Sequence, residues 1–356
     1  MKPSSLLLST ASLSAALLAA TVGPARAEAP DVVVSIKPVH SLVAAIMQGV
    51  GEPKLIVDGA ASPHTYALKP SNAAALQDAD LIFWVGHGLE AFLEKPLEAL
   101  GGKATIVELE DAPGLTKLKF REGGAFEAHD HGHETEGHEA GGHEAEAHGT
   151  EDGGHEHEEA AAHDHEGGDD HAADGGHDHD HEGGFDTHLW LDPMNAKAMA
   201  SAIEAALAEA DPANAATYKA NLAALDANID ALDTEIAATL APVKDKPFVV
   251  FHDAYQYFEH RYGVRVAGSI TVSPETMPGA ERVSEIHGKV KELGAACIFA
   301  EPQFEPKLVN VVMEGTSAKA GTLDPEAATL AAGPALYFDM MRALATSMAD
   351  CLSQAE

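Results

Sequence analysis

"DPANAATYKANLAALDANIDALDTEIAATLAP", residues 211–242, is the stretch on which the fold turns. Tyr218, Leu222, Leu225, Ile229, Leu232, Ile236 and Leu240 recur at steps of four and three, which draws one apolar stripe down a helix. Asp211 before Pro212 reads as a cap followed by a first-turn proline, and Pro242 as the stop. About 28 residues of helix would reach roughly 42 Å at 1.5 Å per residue, long enough to serve two lobes as one strut. The stripe itself reads as core packing.

On both sides of this helix, short β-type runs alternate with helical patterns. They cover Val32 to Ile36, Lys54 to Val57, Leu81 to Val85 and Thr105 to Leu109 before it, then Phe248 to Phe251 and Cys297 to Ala300 after it. Strands that alternate with helices imply parallel sheets and α/β lobes. In such folds ligands gather beyond the carboxyl ends of the strands.

Lys2, the apolar run from Leu6 to Val22 and the ending Ala25-Arg26-Ala27 read as an export signal over residues 1–27. No cysteine stands near that ending to carry a lipid, and no later run is apolar enough for a membrane span, so the expectation is an exported protein of a Gram-negative periplasm without a membrane anchor. In an oxidising compartment the two cysteines, Cys297 and Cys351, suit one disulfide, the alternative being two buried thiols.

The acidic balance is concentrated. Residues 121–187 hold 22 Asp and Glu against Arg121 alone, so −21 of the formal −35 sits there and −14 elsewhere. Such a chain offers no basic face to nucleic acid. The segment has almost no large apolar residues with which to offset the entropy of ordering, and it reads as a mobile loop of about 60 residues. Fourteen of the 21 histidines lie in it, with pairs such as His129, His131 and His133, His155 and His157, His163 and His165, and His177, His179 and His181. Neutral imidazoles at that density point to a divalent transition metal, bound as many near-equal weak arrangements. A tight site belongs on rigid elements instead.

Three histidines outside the loop stand where strands meet a crevice: His64 in "ASPHTYALKPS", His188 in "DTHLWLDP" and His252 in "VVFHDAYQYF". Their spacing matches no local zinc motif such as His-Glu-x-x-His. His40 and His87 also follow strands, and His260 and His287 fall in helical patterns and read as surface residues. Glu301 and Asp253 are candidate acceptors that would hold imidazole orientation.

At these residues, together with "ADLIFWVGHGLEAFL", "FAEPQFEPKL", "GTLDPE" and an acidic, histidine-rich insertion ahead of "THLWLDP", the sequence resembles the periplasmic zinc-binding proteins of high-affinity zinc ABC transporters, the ZnuA type. The resemblance runs through nearly all of the chain beyond the signal. It implies two pseudo-symmetric α/β lobes, residues 28–210 (with the insertion at 121–187) and 243–356, joined by a helix over 211–242, with the metal in the cleft between them. It implies Zn²⁺ ligands His64, His188 and His252, and a Cys297–Cys351 disulfide of the kind usual in this branch. It further implies a monomer that loads zinc and docks on an ABC permease served by an ATPase.

Related manganese carriers place a carboxylate where His252 stands, and three imidazoles favour zinc over that harder set. For the fourth position the resemblance offers Asp324 or water. Pro63 stands where some members carry a glutamate that reaches the metal, and Ser269 where some carry an auxiliary histidine, so neither of those devices is expected. The insertion, entering just before His188, is expected to enrich metal near the cleft as an accessory. Two rival readings are a periplasmic zinc store acting through the loop, and a zinc hydrolase; the second has no nucleophile motif or general base at a recognisable spacing.

Overall fold

In the computed structural model, residues 29–121, 126, 184–271, 274, 278–304 and 307–354 are described. The expected signal over 1–27 and the insertion histidines from His129 to His181 lie outside the described residues.

Short apolar runs build two parallel sheets. In the first, β1 (Val32–Val34), β2 (Lys54–Leu55), β3 (Leu81–Trp84) and β4 (Thr105–Glu108) stand in the order β2-β1-β3-β4, with Val33 opposite Lys54, Val32 opposite Leu81 and Leu81 opposite Thr105. In the second, β5 (Pro247–His252), β6 (Arg265–Thr271), β7 (Cys297–Ala300) and β8 (Lys319–Thr322) repeat that order as β6-β5-β7-β8. Every residue of β1 and β3 is buried, as strands covered on both faces require.

The sequence reading located six of these strands and passed over β6 and β8. β8, "KAGT", is an edge strand with three of its four residues exposed, so nothing selects for an apolar run there. β6, "RVAGSIT", carries Gly268 in mid-strand and mixes small polar residues with apolar ones, although most of it is buried.

The helical stripe became α5 (Ala215–Leu240), 26 residues and about 39 Å long. Tyr218, Leu225, Ile229, Leu232, Ile236 and Leu240 are buried along it, with Leu222 partly so. It packs against α1 (Lys37–Ile46) and α4 (Pro193–Ala210), which precede it in the chain, and against α6 (Gln256–Tyr262) and α9 (Leu336–Ser353), which follow it. Its start differs from expectation: Asp211 is the C-cap of α4, outside the helical region at φ −133° and ψ 74° ahead of Pro212, and a turn separates the two helices. Asp211 still ties down the new helix, since its Oδ2 accepts from Asn214 Nδ2 at 2.7 Å and from the Tyr218 hydroxyl at 2.9 Å.

One apolar core runs through both sheets, from Val32 to Leu352, with the α5 stripe inside it. A smaller cluster lies between the second sheet, α7 (Ala280–Leu293) and α8 (Lys307–Met313). Cys297 on β7 and Cys351 on α9 form a disulfide with a Cα separation of 6.2 Å. No helix among the described residues is long and apolar enough to cross a membrane.

The turn after β3 carries a buried acid. Glu90 is wholly enclosed, and its carboxylate accepts the backbone N–H groups of Val85 at 3.1 Å and Gly86 at 3.0 Å. Burial outweighs those bonds and pushes its pKa up to about 7. Because the folded value lies above the unfolded one, this group's stabilisation is complete below about pH 4.5 and is lost as pH rises toward 7, about 3 kcal/mol in all. Glu90→Gln is expected to remove that part of the slope, so denaturant unfolding of the protein in chelator at pH 5 and pH 8 should differ less than in the parent. A parental pH profile in the variant would show that another group titrates.

Candidate metal centre

Three pieces of local structure, distant in sequence, bring the imidazoles together. Pro63–Thr65 forms a 3-10 turn with proline at its first position, and the Ser62 hydroxyl caps it by accepting His64 N–H at 3.3 Å. His188 stands at the entrance of a second 3-10 turn, Leu189–Leu191, whose three side chains are all buried. His252 closes β5, and Glu301 follows β7, the neighbouring strand, so the pair faces the crevice where the strand order reverses.

The Nε2 atoms of His64 and His188 lie 3.4 Å apart, and those of His252 and His188 lie 3.3 Å apart. Ligand atoms of all three fall within 4.8 Å of one another, and they are the one such group of three or more found among the described residues. Zinc–imidazole bonds of about 2.0–2.1 Å make the edge of a ligand tetrahedron roughly 3.3–3.4 Å, which is the spacing observed. Lone pairs that close repel each other unless a cation sits between them.

Carboxylates fix two of the rings from behind. His188 Nδ1 is 2.7 Å from Asp186 Oδ1, which also accepts the His188 backbone N–H at 3.0 Å. His252 Nδ1 is 2.7 Å and 2.8 Å from the two oxygens of Glu301, and the Tyr255 hydroxyl donates to Glu301 at 3.2 Å. A proton held on each Nδ1 leaves the Nε2 lone pair facing the centre, the arrangement that raises imidazole basicity toward a metal. Trp190 packs against His188 at 5.4 Å between ring centroids, and Phe304 meets His252 edge-on at 6.3 Å.

The electrostatics separate the histidines. Burial, with the neighbouring His188 and His252, holds the His64 pKa well below 6.5, so this ring stays neutral and ready to coordinate. Burial also works to lower His252, but the Glu301 carboxylate overrides it and the net shift is upward, so protons compete with metal there. Glu326 is pushed up to about 8, chiefly by burial, with Glu301 and Asp324 adding to the effect and His252 opposing it.

Asp324 is not in the group of converging ligand atoms. Its Oδ1 accepts Ala328 N–H at 2.8 Å and Gln303 Nε2 at 3.2 Å, and its Oδ2 accepts the N–H and hydroxyl of Thr329, both at 3.1 Å. Asp253, considered as a brace for imidazole, instead takes the Arg121 guanidinium, which also reaches Glu259. His40 is buried with Nε2 3.0 Å from the Pro53 carbonyl, His87 lies between Glu94 and Glu108, and Ser269 is buried in β6. Two residues that matter here escaped the sequence reading. Asp186 carried a usable signal, a carboxylate two residues ahead of a candidate ligand, whereas Glu326 carried none beyond its place in "GTLDPE".

The described ends of the insertion meet beside His188. Lys119 and Phe185 form an antiparallel bridge, Asp186 N–H donates to Leu118 O at 2.9 Å, and the Tyr257 hydroxyl donates to Asp186 O at 2.6 Å.

Over residues 32–351 the chain matches the family model described as zinc-uptake complex component A, periplasmic. It is 55% identical over 343 residues to the high-affinity zinc uptake system protein ZnuA of Brucella suis biovar 1, covering 96% of this chain and 98% of that protein. A crystal structure of ZnuA superposes with a TM-score of 0.66 at 25% identity, covering 91% of this chain and 99% of that one. The periplasmic zinc binding protein TroA of Treponema pallidum shares the fold with a TM-score of 0.69 at 20% identity, over 91% of this chain and 99% of that one.

Proposed function

The chain belongs to the zinc-uptake complex component A family of periplasmic proteins, and from that premise we propose that it takes up Zn²⁺ on the imidazoles of His64, His188 and His252. It is a periplasmic solute-binding protein rather than an enzyme, with zinc as its cargo and the permease and ATPase of an ABC importer as its partners. The observation that carries the ligand assignment is the Nε2 spacing of 3.3 and 3.4 Å, which suits a tetrahedral zinc.

Three neutral imidazoles leave one coordination position for water or a carboxylate of the 324–326 segment. Because the apolar core is continuous across both sheets, release is read as a local event in place of a wide separation of halves. His64, half-buried on a short turn, is the ligand whose displacement disturbs the least packing. A monomer docking its cleft on the permease would bring that displacement about.

A zinc titration against a competing chelator tests this reading, with the full chain compared to one lacking residues 123–183. One tight site surviving the deletion, while several weaker ones vanish, is the expected result. Loss of the tight site with the loop would transfer the function to the insertion and make the protein a zinc store.

A further inference from the structure

Lys37 opens α1 and is 5% exposed. It donates to the carbonyl oxygens of Ala327 at 3.1 Å, Ala328 at 3.0 Å and Leu330 at 2.9 Å, on a segment about 290 residues further along the chain. Burying an ammonium is costly, and three carbonyl acceptors are what makes it tolerable here.

The gripped segment also carries Asp324 and Glu326. Trp190, two residues after His188, holds it at a second point, with Nε1 donating to Pro325 O at 2.8 Å. Asp324 laces it internally through Ala328 N and Thr329 N. Between these fastenings Ala327 has φ +55°, the one positive φ of a non-glycine residue among the described residues. Such a conformation persists only where the surroundings over-determine it. Glu326, next to it, is 7% exposed, and Gln303 bridges the two acids, its Nε2 lying 3.2 Å from Asp324 Oδ1 and 3.4 Å from Glu326 Oε2. Gln303 itself stands two residues beyond Glu301, the acid behind His252.

Building on the three-imidazole reading, we propose that Lys37 is a positioning residue of the metal centre: by holding residues 327–330 from the opposite half of the molecule, it keeps the carboxylates of Asp324 and Glu326, bridged by Gln303, on the side of the His252–Glu301 pair, where their charge favours a bound cation. Strain at Ala327 is the mark of that hold. A slack segment would let both acids withdraw from the metal while the imidazoles stayed in place.

The test uses the full chain, chelator competition for zinc, and the visible absorption of Co²⁺ bound in place of zinc. Lys37→Met should weaken the tight site about tenfold and Ala327→Gly a few-fold, within the range seen for groups that orient metal ligands. Ala327→Gly should leave the unfolding midpoint unchanged or raised, since glycine relieves the positive φ, so its loss of affinity cannot be a loss of fold. In a background of Asp324→Asn with Glu326→Gln, the effect of Lys37→Met should largely disappear, and the cobalt spectrum of Lys37→Met alone should move toward that background. Parental zinc affinity in both Lys37→Met and Ala327→Gly, or a Lys37→Met loss undiminished in the carboxamide background, would reduce Lys37 to a packing residue. If Lys37→Met fails to fold, Ala327→Gly decides. His188→Ala runs alongside as the control for the imidazole reading: parental binding in that variant would remove the ligand assignment itself, whereas its loss of binding combined with unaffected Lys37 and Ala327 variants would remove the positioning role alone.

Discussion

His252→Ala is expected to weaken the tight zinc site by roughly 10² to 10³-fold, because zinc sites of about 10–16 kcal/mol shared over four ligands assign about 3 to 4 kcal/mol to each. Removal of the ring also leaves Glu301 and the Tyr255 hydroxyl facing a gap in a buried site, so the upper end of that range is the better expectation. Glu301→Gln keeps the ring and removes only the charged acceptor behind Nδ1, for which a smaller loss of about 10 to 100-fold is expected at pH 7.5. The two variants should also part company with pH. Glu301 raises the His252 pKa, so in the parent protons displace zinc from a higher pH downward. Glu301→Gln lowers that pKa, and its deficit relative to the parent should therefore shrink as the pH falls through the raised His252 pKa, beginning above 6.5. Chelator competition across pH 5.5 to 8 measures both effects. A His252→Ala protein within tenfold of the parent would mean that the converging imidazoles are not the tight site.

Breaking the Cys297–Cys351 link is expected to cost about 4 kcal/mol of stability, from the chain entropy released when a closed loop of that size opens in the unfolded state. Both sulfurs sit in packed surroundings, with Cys297 fully buried in β7 and Cys351 7% exposed on α9, so paired alanines add a small packing loss to the entropic one. The link fastens the last helix to the strand that leads into Glu301, and the loss should appear as an earlier denaturant midpoint of the zinc-free protein. Saturating zinc should recover part of it, because a ligand bound only by the folded chain adds about 4 kcal/mol at a thousandfold excess over Kd. A shift below about 1 kcal/mol would indicate an unfolded chain already compact enough that the cross-link constrains little.

Much of the architecture was readable from local pattern. The stripe from Tyr218 to Leu240 announced α5, because burial of one helix face imposes a 3.6-residue period whatever the partners are. Six of the eight strands announced themselves as apolar runs: β1, β3, β5 and β7 because a parallel strand covered on both faces has no polar side to show, and the edge strands β2 and β4 because their runs continue into the buried Ile56 and Val57 and the buried Leu109. β8 stayed silent for the opposite reason: an exposed edge strand is held by its backbone ladder, which any residue but proline can supply. His64, His188 and His252 were singled out by their place after strands and by resemblance, while Asp186 and Lys37 were not. An acceptor behind an imidazole, or a lysine spread over three carbonyls, leaves no period and no motif in the chain.

The chain's own pattern thus determined the elements, the faces they bury, the exported and metal-handling character of the protein, and the residue types able to hold zinc. Only the tertiary structure decided that imidazoles 124 and 64 residues apart in sequence stand 3.3 to 3.4 Å apart, that Asp186 and Glu301 hold two of them, and that Lys37 reaches Ala327 across 290 residues. The reason is the range of the forces involved. Periodicity and capping act over a few residues and are written where they act, whereas a coordination shell is a meeting in space whose distances are set by how two sheets pack around one helix.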